Sequence, residues 1–288
     1  MRYLDIHPLL RRYGIRPKKS LGQNFLTEPA GLEKVLKAAR LGPQAQVLEI
    51  GAGLGSLTWL LAQEAAGVTA VEIDRTFIPI LNELFDEQKH VRIIEGDILQ
   101  LNPGELMPYD QYTVVANIPY YISSAIIRHL LEAEHKPAAM VLTVQKEVAQ
   151  RVCAAAGKLS LLALSVQVFG KPEMAGTIPA GSFYPAPDVD SAVLRVDLYP
   201  EPLIPIEDLE TFFKLAHAGF GQKRKTLRNS LSAGLNWPAV QIEALLENAG
   251  IAAQRRAESL SLSEWKALTR AYLQEVFARS GTGFTPGE

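Results

Sequence analysis

The run Gln46-Val47-Leu48-Glu49-Ile50 leads directly into Gly51-Ala52-Gly53-Leu54-Gly55, and the helical pattern Leu57, Leu60, Leu61 follows without a gap. A strand, a glycine loop and a helix in that order form the opening unit of an open α/β sheet, where missing Cβ atoms let a ligand approach the backbone closely. The spacing narrows the ligand. A dinucleotide fingerprint needs a third glycine where this chain has Ser56, and Glu49 sets a carboxylate two residues before the loop. That carboxylate disfavours a pyrophosphate and suits a ligand bearing an ammonium and a sulfonium, such as S-adenosylmethionine.

The same unit recurs. Residues 68–73 read as the next strand and end roughly 20 residues after the loop, where an acid can hold two ribose hydroxyls. Glu72 takes that role here, with Ile73 beside it; Asp74 is the rival, and also reads as the N-cap of the helical pattern Phe77, Ile80, Leu81, Leu84. Residues 91–98 form a third strand. Asp97 at its carboxyl end can accept from an adenine amino group, with Ile98 beside the ring, or can cap a turn. Residues 112–116, 138–144, 171–178 and 191–198 supply four more strands, and residues 159–168 a helix. The expected fold is α/β: a doubly wound, mostly parallel, seven-stranded Rossmann-like methyltransferase sheet with a smaller all-α C-terminal domain. Pro200, Pro202 and Pro205 mark the linker, giving domains 1–200 and 201–288. Residues 209–218, 239–248 and 263–278 have helical spacing, and residues 280–288 read as a frayed tail.

Asn117-Ile118-Pro119-Tyr120 closes the fourth strand. An exocyclic adenine amine is a poor nucleophile because its lone pair is delocalised into the ring. Two acceptors, the Asn117 side-chain oxygen and the Ile118 carbonyl held by the fixed dihedral of Pro119, would bind both amine protons and aim the lone pair outward. Tyr120 would then stack on the base. The alternative is an ordinary strand-to-loop turn, since Asn and Pro are turn residues.

Further motifs carry a resemblance. They are residues 20–26 (Ser20-Leu21-Gly22-Gln23-Asn24-Phe25-Leu26), 145–151, 183–193 (beginning Phe183-Tyr184-Pro185) and 220–231. With the segments above, the chain resembles the small-subunit ribosomal RNA adenine N6,N6-dimethyltransferases over nearly its whole length. That resemblance implies S-adenosylmethionine as cofactor and an immature ribosomal small subunit as partner, with two adjacent adenines near the 3′ end of its rRNA dimethylated during subunit biogenesis by a monomer. It implies that Asn24 and Leu26 line the donor pocket with Gly51, Glu72, Asp97 and Asn117. Gly53, Ile73 and Ile98 complete the candidate donor set, and Phe183 and Tyr120 sandwich the target base. Tyr184 stands where Thr or His is common in relatives. Large-subunit adenine methyltransferases of the antibiotic-resistance type share the sheet and site motifs; residues 223–231 argue for the small-subunit family. An assembly-binding factor, a transcription factor and a dehydrogenase are the remaining alternatives.

A single cysteine, Cys153, excludes an internal disulfide and reads as a buried, inert thiol in a helical stretch. Five histidines without ligand spacing give no metal site. No apolar run approaches a membrane span, and the first residues lack a signal-peptide core, so a cytoplasmic location is expected. The net charge of −2 is unexpected for an RNA-binding chain. Phosphates answer to local patches, however, and two stand out: Arg11, Arg12, Arg16, Lys18 and Lys19, and Lys223, Arg224, Lys225 and Arg228. RNA contact is expected at both; a solvated charged helix face is the alternative.

Overall fold

The structure, a computed structural model, describes residues 2–280; the side chains of Lys19 and Ser280 fall outside that description, as do residues 281–288, where most of the expected tail lies. Contacts divide the chain into two compact units, one of Met1–Gln150 with Lys171–Leu198, the other of Arg151–Gly170 with Tyr199 onward. Residues 151–170 therefore group with the helical part, and the expected proline linker begins near the last crossing between units.

The strands are β1 (Phe25–Leu26), β2 (Gln46–Ile50), β3 (Gly67–Glu72), β4 (Val91–Glu95), β5 (Thr113–Asn117), β6 (Ala139–Gln145), β7 (Gly170–Ile178), β8 (Phe183–Tyr184) and β9 (Ser191–Leu198). The helices are α1 (Ile6–Arg12), α2 (Pro29–Ala39), α3 (Ser56–Glu64), α4 (Ile78–Phe85), α5 (Pro103–Leu106), α6 (Ser123–Glu132), α7 (Lys146–Val152), α8 (Leu161–Gln167), α9 (Leu209–Phe220), α10 (Leu227–Leu235), α11 (Ala239–Asn248) and α12 (Leu262–Ser280).

Seven strands form one sheet in the order β4-β3-β2-β5-β6-β9-β7. Strands β2 through β6 pair in parallel, and β9 runs antiparallel to β6. Because β3 and β5 flank β2, the strand order reverses there, and the crevice outside the carboxyl ends of β2 and β5 is where such sheets bind ligands. Helices cover the sheet, so its central strands are buried on both faces rather than alternating: β6 is buried from Ala139 to Val144. Leu32, Val35 and Leu36 of α2 and Leu57, Leu60 and Leu61 of α3 share one core with Val47, Val115, Val141 and Val193 of the sheet. A basic side chain enters this layer. Arg195 of β9, nearly buried, donates to the carbonyls of Ala38 and Ala39 at 2.6 and 3.1 Å, satisfying the carboxyl end of α2.

Two expectations fail locally. Asp74 is not the N-cap: α4 begins at Ile78 with Phe77 at the cap position and Pro79 in its first turn, where proline's fixed φ starts a helix, and the Asp74 carboxylate accepts from Lys18, Gln23 and the Thr76 N–H of the turn before the helix. Cys153 lies beyond the end of α7 and is only half-buried, since the helix stops at Val152.

In the second unit, Trp265 of α12 is fully buried and stacks on Phe220 of α9, ring centroids 5.8 Å apart. Gly219 makes room for it, because a Cβ there would lie 2.6 Å from the indole. Helix α10 is absent from the sequence reading. Its segment is polar and basic, and only Leu227, Ser230 and Leu231 are buried, too few for a visible stripe.

Candidate active site

A cleft of about 1070 Å³, counting its open mouth, lies at the carboxyl ends of β2, β3 and β5. Its wall includes Asn24, Leu26, Gly51, Gly53, Glu72, Ile73, Asp97, Ile98, Asn117, Ile118, Pro119 and Tyr120, so one cavity gathers these separate motifs. The lining holds two carboxyls, Glu72 and Asp97, and no Lys, Arg or His. That donor set fits a cation with sugar hydroxyls and repels phosphate, which matches S-adenosylmethionine and opposes a dinucleotide.

The loop after β2 is built for close approach. Gly51 and Gly53 have φ of +79° and +56°, left-handed values that a Cβ disfavours. Glu72, almost fully buried at the end of β3, braces the loop: its Oε2 accepts the Gly53 N–H and its Oε1 the Asp74 N–H, both at 2.7 Å. Burial pushes its pKa up, and those two N–H groups oppose the rise. Each oxygen keeps a further lone pair for a ligand hydroxyl. Glu49 is buried behind the loop, with neither oxygen in a hydrogen bond among the described residues. Burial lifts its pKa to about 8; the Thr58 hydroxyl opposes this and the Glu72 charge adds to it. Asp97 does cap its turn, accepting the Leu99 N–H at 3.0 Å, while also lining the cleft.

At the end of β5, Asn117 Nδ2 donates to the Asn24 carbonyl at 3.0 Å. This bond turns the side-chain amide so that Oδ1 faces away from Asn24, and no described group donates to that oxygen. Ile118 is buried, and Pro119 follows in an extended conformation at φ −58° and ψ 133°. The site thus holds one oriented acceptor beside the cleft, Asn117 Oδ1, with the Ile118 segment lining the wall next to it.

The segment before β1 contributes more than its motif suggested. Leu21 to Leu26 line the cleft, and Phe25 meets Phe77 edge-on at 5.7 Å. Gln23, Phe25, Phe77 and Tyr121 were not singled out in the sequence; Gln23 and Phe25 lie inside a motif already noted, which was the available signal. Asp74 fastens this segment, accepting from Lys18 Nζ at 2.7 Å and Gln23 Nε2 at 2.8 Å. Burial alone would raise its pKa, but Lys18, Thr76 and Gln23 outweigh that and hold it at about 2.

Phe183 stands apart from this gathering. It is 4% exposed, packs in the core and pairs with Leu26 across β1 and β8, and it does not line the cleft. In β8 the alternation sends Tyr184 outward, 44% exposed and 5.9 Å from the His7 ring.

Among the basic residues, Arg12 pairs with Glu83 and Lys18 with Asp74, while no described carboxylate pairs with Arg11 or Arg16. Lys223, Arg224 and Lys225 are exposed in the turn between α9 and α10, not on a helix face, and none has an ion-pair partner among the described residues. Arg228, on α10, is paired with Glu243. Among the described residues, no helix is long and apolar enough to cross a membrane.

Comparison with known proteins accords with this geometry. The family model "Ribosomal RNA adenine dimethylase" matches residues 14–270. A ribosomal RNA small subunit methyltransferase A from Dehalococcoides mccartyi is 45% identical over 267 residues, 92% of each chain. Among solved structures, a dimethyladenosine transferase from Plasmodium falciparum superposes with a TM-score of 0.73 at 27% identity, covering 91% of this chain and 100% of its own. The 23S rRNA methyltransferase ErmE gives 0.71 at 28%, covering 86% and 99%. With the family match running from the segment before the sheet into the last helix, the chain belongs to the ribosomal RNA adenine dimethylases and is an S-adenosylmethionine-dependent rRNA adenine dimethyltransferase.

Proposed function

We propose that this enzyme dimethylates the N6 amines of two adjacent adenines in a loop near the 3′ end of small-subunit rRNA, acting as a cytoplasmic monomer on an immature small subunit. The relatives named for the small subunit stand at 37–45% identity, well above the 28% of the 23S enzyme, which supports this choice of rRNA. Asn24, Leu26, Gly51, Gly53, Glu72, Ile73, Asp97 and Ile98 hold the donor. Glu72 accepts from the ribose hydroxyls and Asp97 from the donor's adenine amine. S-adenosylmethionine, when bound, supplies an electrophilic methyl group.

The observation that carries the catalytic reading is the Asn117 side chain, tethered through Nδ2 with its oxygen unclaimed. Asn117 Oδ1 and the Ile118 carbonyl take the two amine protons of an adenine splayed from a single-stranded loop, which is cheap to unstack. Both acceptors bind the developing ammonium better than the planar amine, so they act on the transition state. No strong base is needed, because the amine proton becomes acidic as the N–C bond forms and leaves to water. Tyr120 supplies one stacking face; Phe183, for the other, must rotate out of its buried position. Basic residues Lys19, Lys223, Arg224, Lys225 and Arg228, with the arm residues Arg11 and Arg12, contact rRNA phosphates.

Replacing Asn117 by Ala should lower the single-turnover rate by roughly 10²–10³ at saturating rRNA and donor, as for loss of one preorganised polar contact to developing charge. Donor affinity should fall far less. A near-normal rate would remove Asn117 from the chemistry.

A further inference from the structure

Tyr120 lines the cleft, but its hydroxyl is already engaged, sharing a hydrogen bond of 2.5 Å with Ser191 Oγ. Ser191 is fully buried at the first position of β9, opposite Gln145 of β6. Its backbone is held on both sides of the preceding residue: the Asp190 carbonyl accepts the Lys146 N–H at 3.0 Å, and the Asp190 carboxylate accepts the Ala180 N–H at 3.1 Å. Ser191 is thus a rigid point in the first unit. Tyr120 opens a single 3₁₀ turn between Pro119 and α6, and two side-chain torsions separate its ring from the backbone. A hydrogen bond at the far end of the ring fixes where the phenol oxygen lies and so holds the first torsion; the second turns the ring about an axis through that oxygen and is biased only by the preference of the phenol O–H for the ring plane. The same serine ends the 183–190 loop that carries Phe183.

We propose that Ser191 is a positioning residue for methyl transfer: through the Tyr120 phenol it fixes the position of the ring on which the target adenine stacks, and it ties the 119–122 turn to the end of the Phe183 loop. The proposal rests on the reading of Tyr120 as a base-stacking face. Stacking itself is tolerant of small tilts, whereas in-line attack is not, and a displacement of about 1 Å can cost about 10²-fold in rate. Loss of the Ser191 hydroxyl therefore leaves rRNA able to bind but less often aligned. The second methylation is affected more than the first, because an amine already carrying one methyl has fewer orientations that place its lone pair correctly.

The test compares Ser191→Ala, Ser191→Thr, Tyr120→Phe, the Ser191→Ala/Tyr120→Phe double variant and Tyr120→Ala. Each is assayed for kcat, KM for rRNA, donor affinity, melting temperature and the ratio of monomethyl to dimethyl adenine. Ser191→Ala and Tyr120→Phe should each lower kcat about ten-fold, the loss of one hydrogen bond. KM for rRNA and donor affinity should change little, and monomethyl adenine should accumulate. The double variant should be no slower than either single one, and Ser191→Thr, which keeps the hydroxyl, should restore kcat and the product ratio. Should Ser191→Ala fail to fold, Tyr120→Phe removes the same bond from its other end. Multiplicative losses in the double variant, or normal kcat and product ratio in both single variants, would overturn the proposal. If Tyr120→Ala is inactive while both single variants are normal, only the role of Ser191 falls. If Tyr120→Ala is fully active, the base-stacking reading fails and the proposal with it.

Discussion

Glu49 and Glu72 show how two buried carboxyls beside one loop acquire different constraints. Glu72 has two backbone donors, whereas Glu49 has only Thr58 beside it and its pKa rises to about 8, chiefly from burial. The folded state therefore keeps a proton on Glu49 that the unfolded chain releases above pH about 4.5. This term stabilises the fold fully below that pH and is lost as pH rises through about 8. Its slope is at most about 1.4 kcal/mol per pH unit. Denaturation between pH 5 and 8 should show stability falling with pH in the ligand-free protein, and Glu49→Gln should flatten the curve. A second expectation concerns Glu72. Its replacement by Ala should weaken S-adenosylmethionine binding by about 1.5–3 kcal/mol, the range for hydrogen bonds to a charged group; calorimetry on the folded variant measures this. Both acids are legible from their places at strand ends. Their burial is not, because it depends on the helices that cover the sheet.

Among elements, the segment from Lys18 to Leu26 joins the donor wall without belonging to the main sheet. It is held by the two-residue pairing of β1 with β8 and by Asp74. Asp74, held at about 2, contributes stability at pH above the usual carboxylate range, and that contribution is lost as pH falls through about 2. At neutral pH, Asp74→Asn should loosen the segment, weaken donor binding and speed tryptic cleavage after Lys18; unchanged proteolysis and donor affinity would show that β1 and β8 suffice to hold it. Lys18 is expected on rRNA, and in the structure its half-exposed ammonium pairs with Asp74. Sequence reveals a positive charge but not its partner, since Lys18 and Asp74 lie far apart in the chain. Phe183 teaches the same lesson in reverse. Its motif marks it for a base, while the alternation of β8 turns it into the core and leaves Tyr184 outside.

On the scale of the whole molecule, the residues assigned to the donor all lie in the first unit, while the exposed Lys223 to Lys225 turn lies in the second. Lys223→Ala with Arg224→Ala should therefore reduce the slope of log K against log salt for rRNA binding by roughly 0.7–0.9 per lost phosphate contact, leaving donor affinity unchanged. An unchanged slope with methylation intact would move the RNA contact to Arg11 and Arg16. The seven strands, the glycine loop and the Asn117 motif were readable because each is local: apolar runs of strand length, glycines where a ligand must approach, and acids at the carboxyl ends of β2, β3 and β4. Three of the later helices, α9, α11 and α12, were readable for the same reason, while α10, with its narrow apolar stripe, was not. Only the tertiary structure could decide which charges are spent on each other and which remain free, that Asn117 is oriented by the backbone of Asn24, and that Tyr120 is tied to Ser191. Those pairs are separated by dozens of residues or more along the chain, and a contact at that distance is set by how the strands stack into the sheet, which no local pattern encodes.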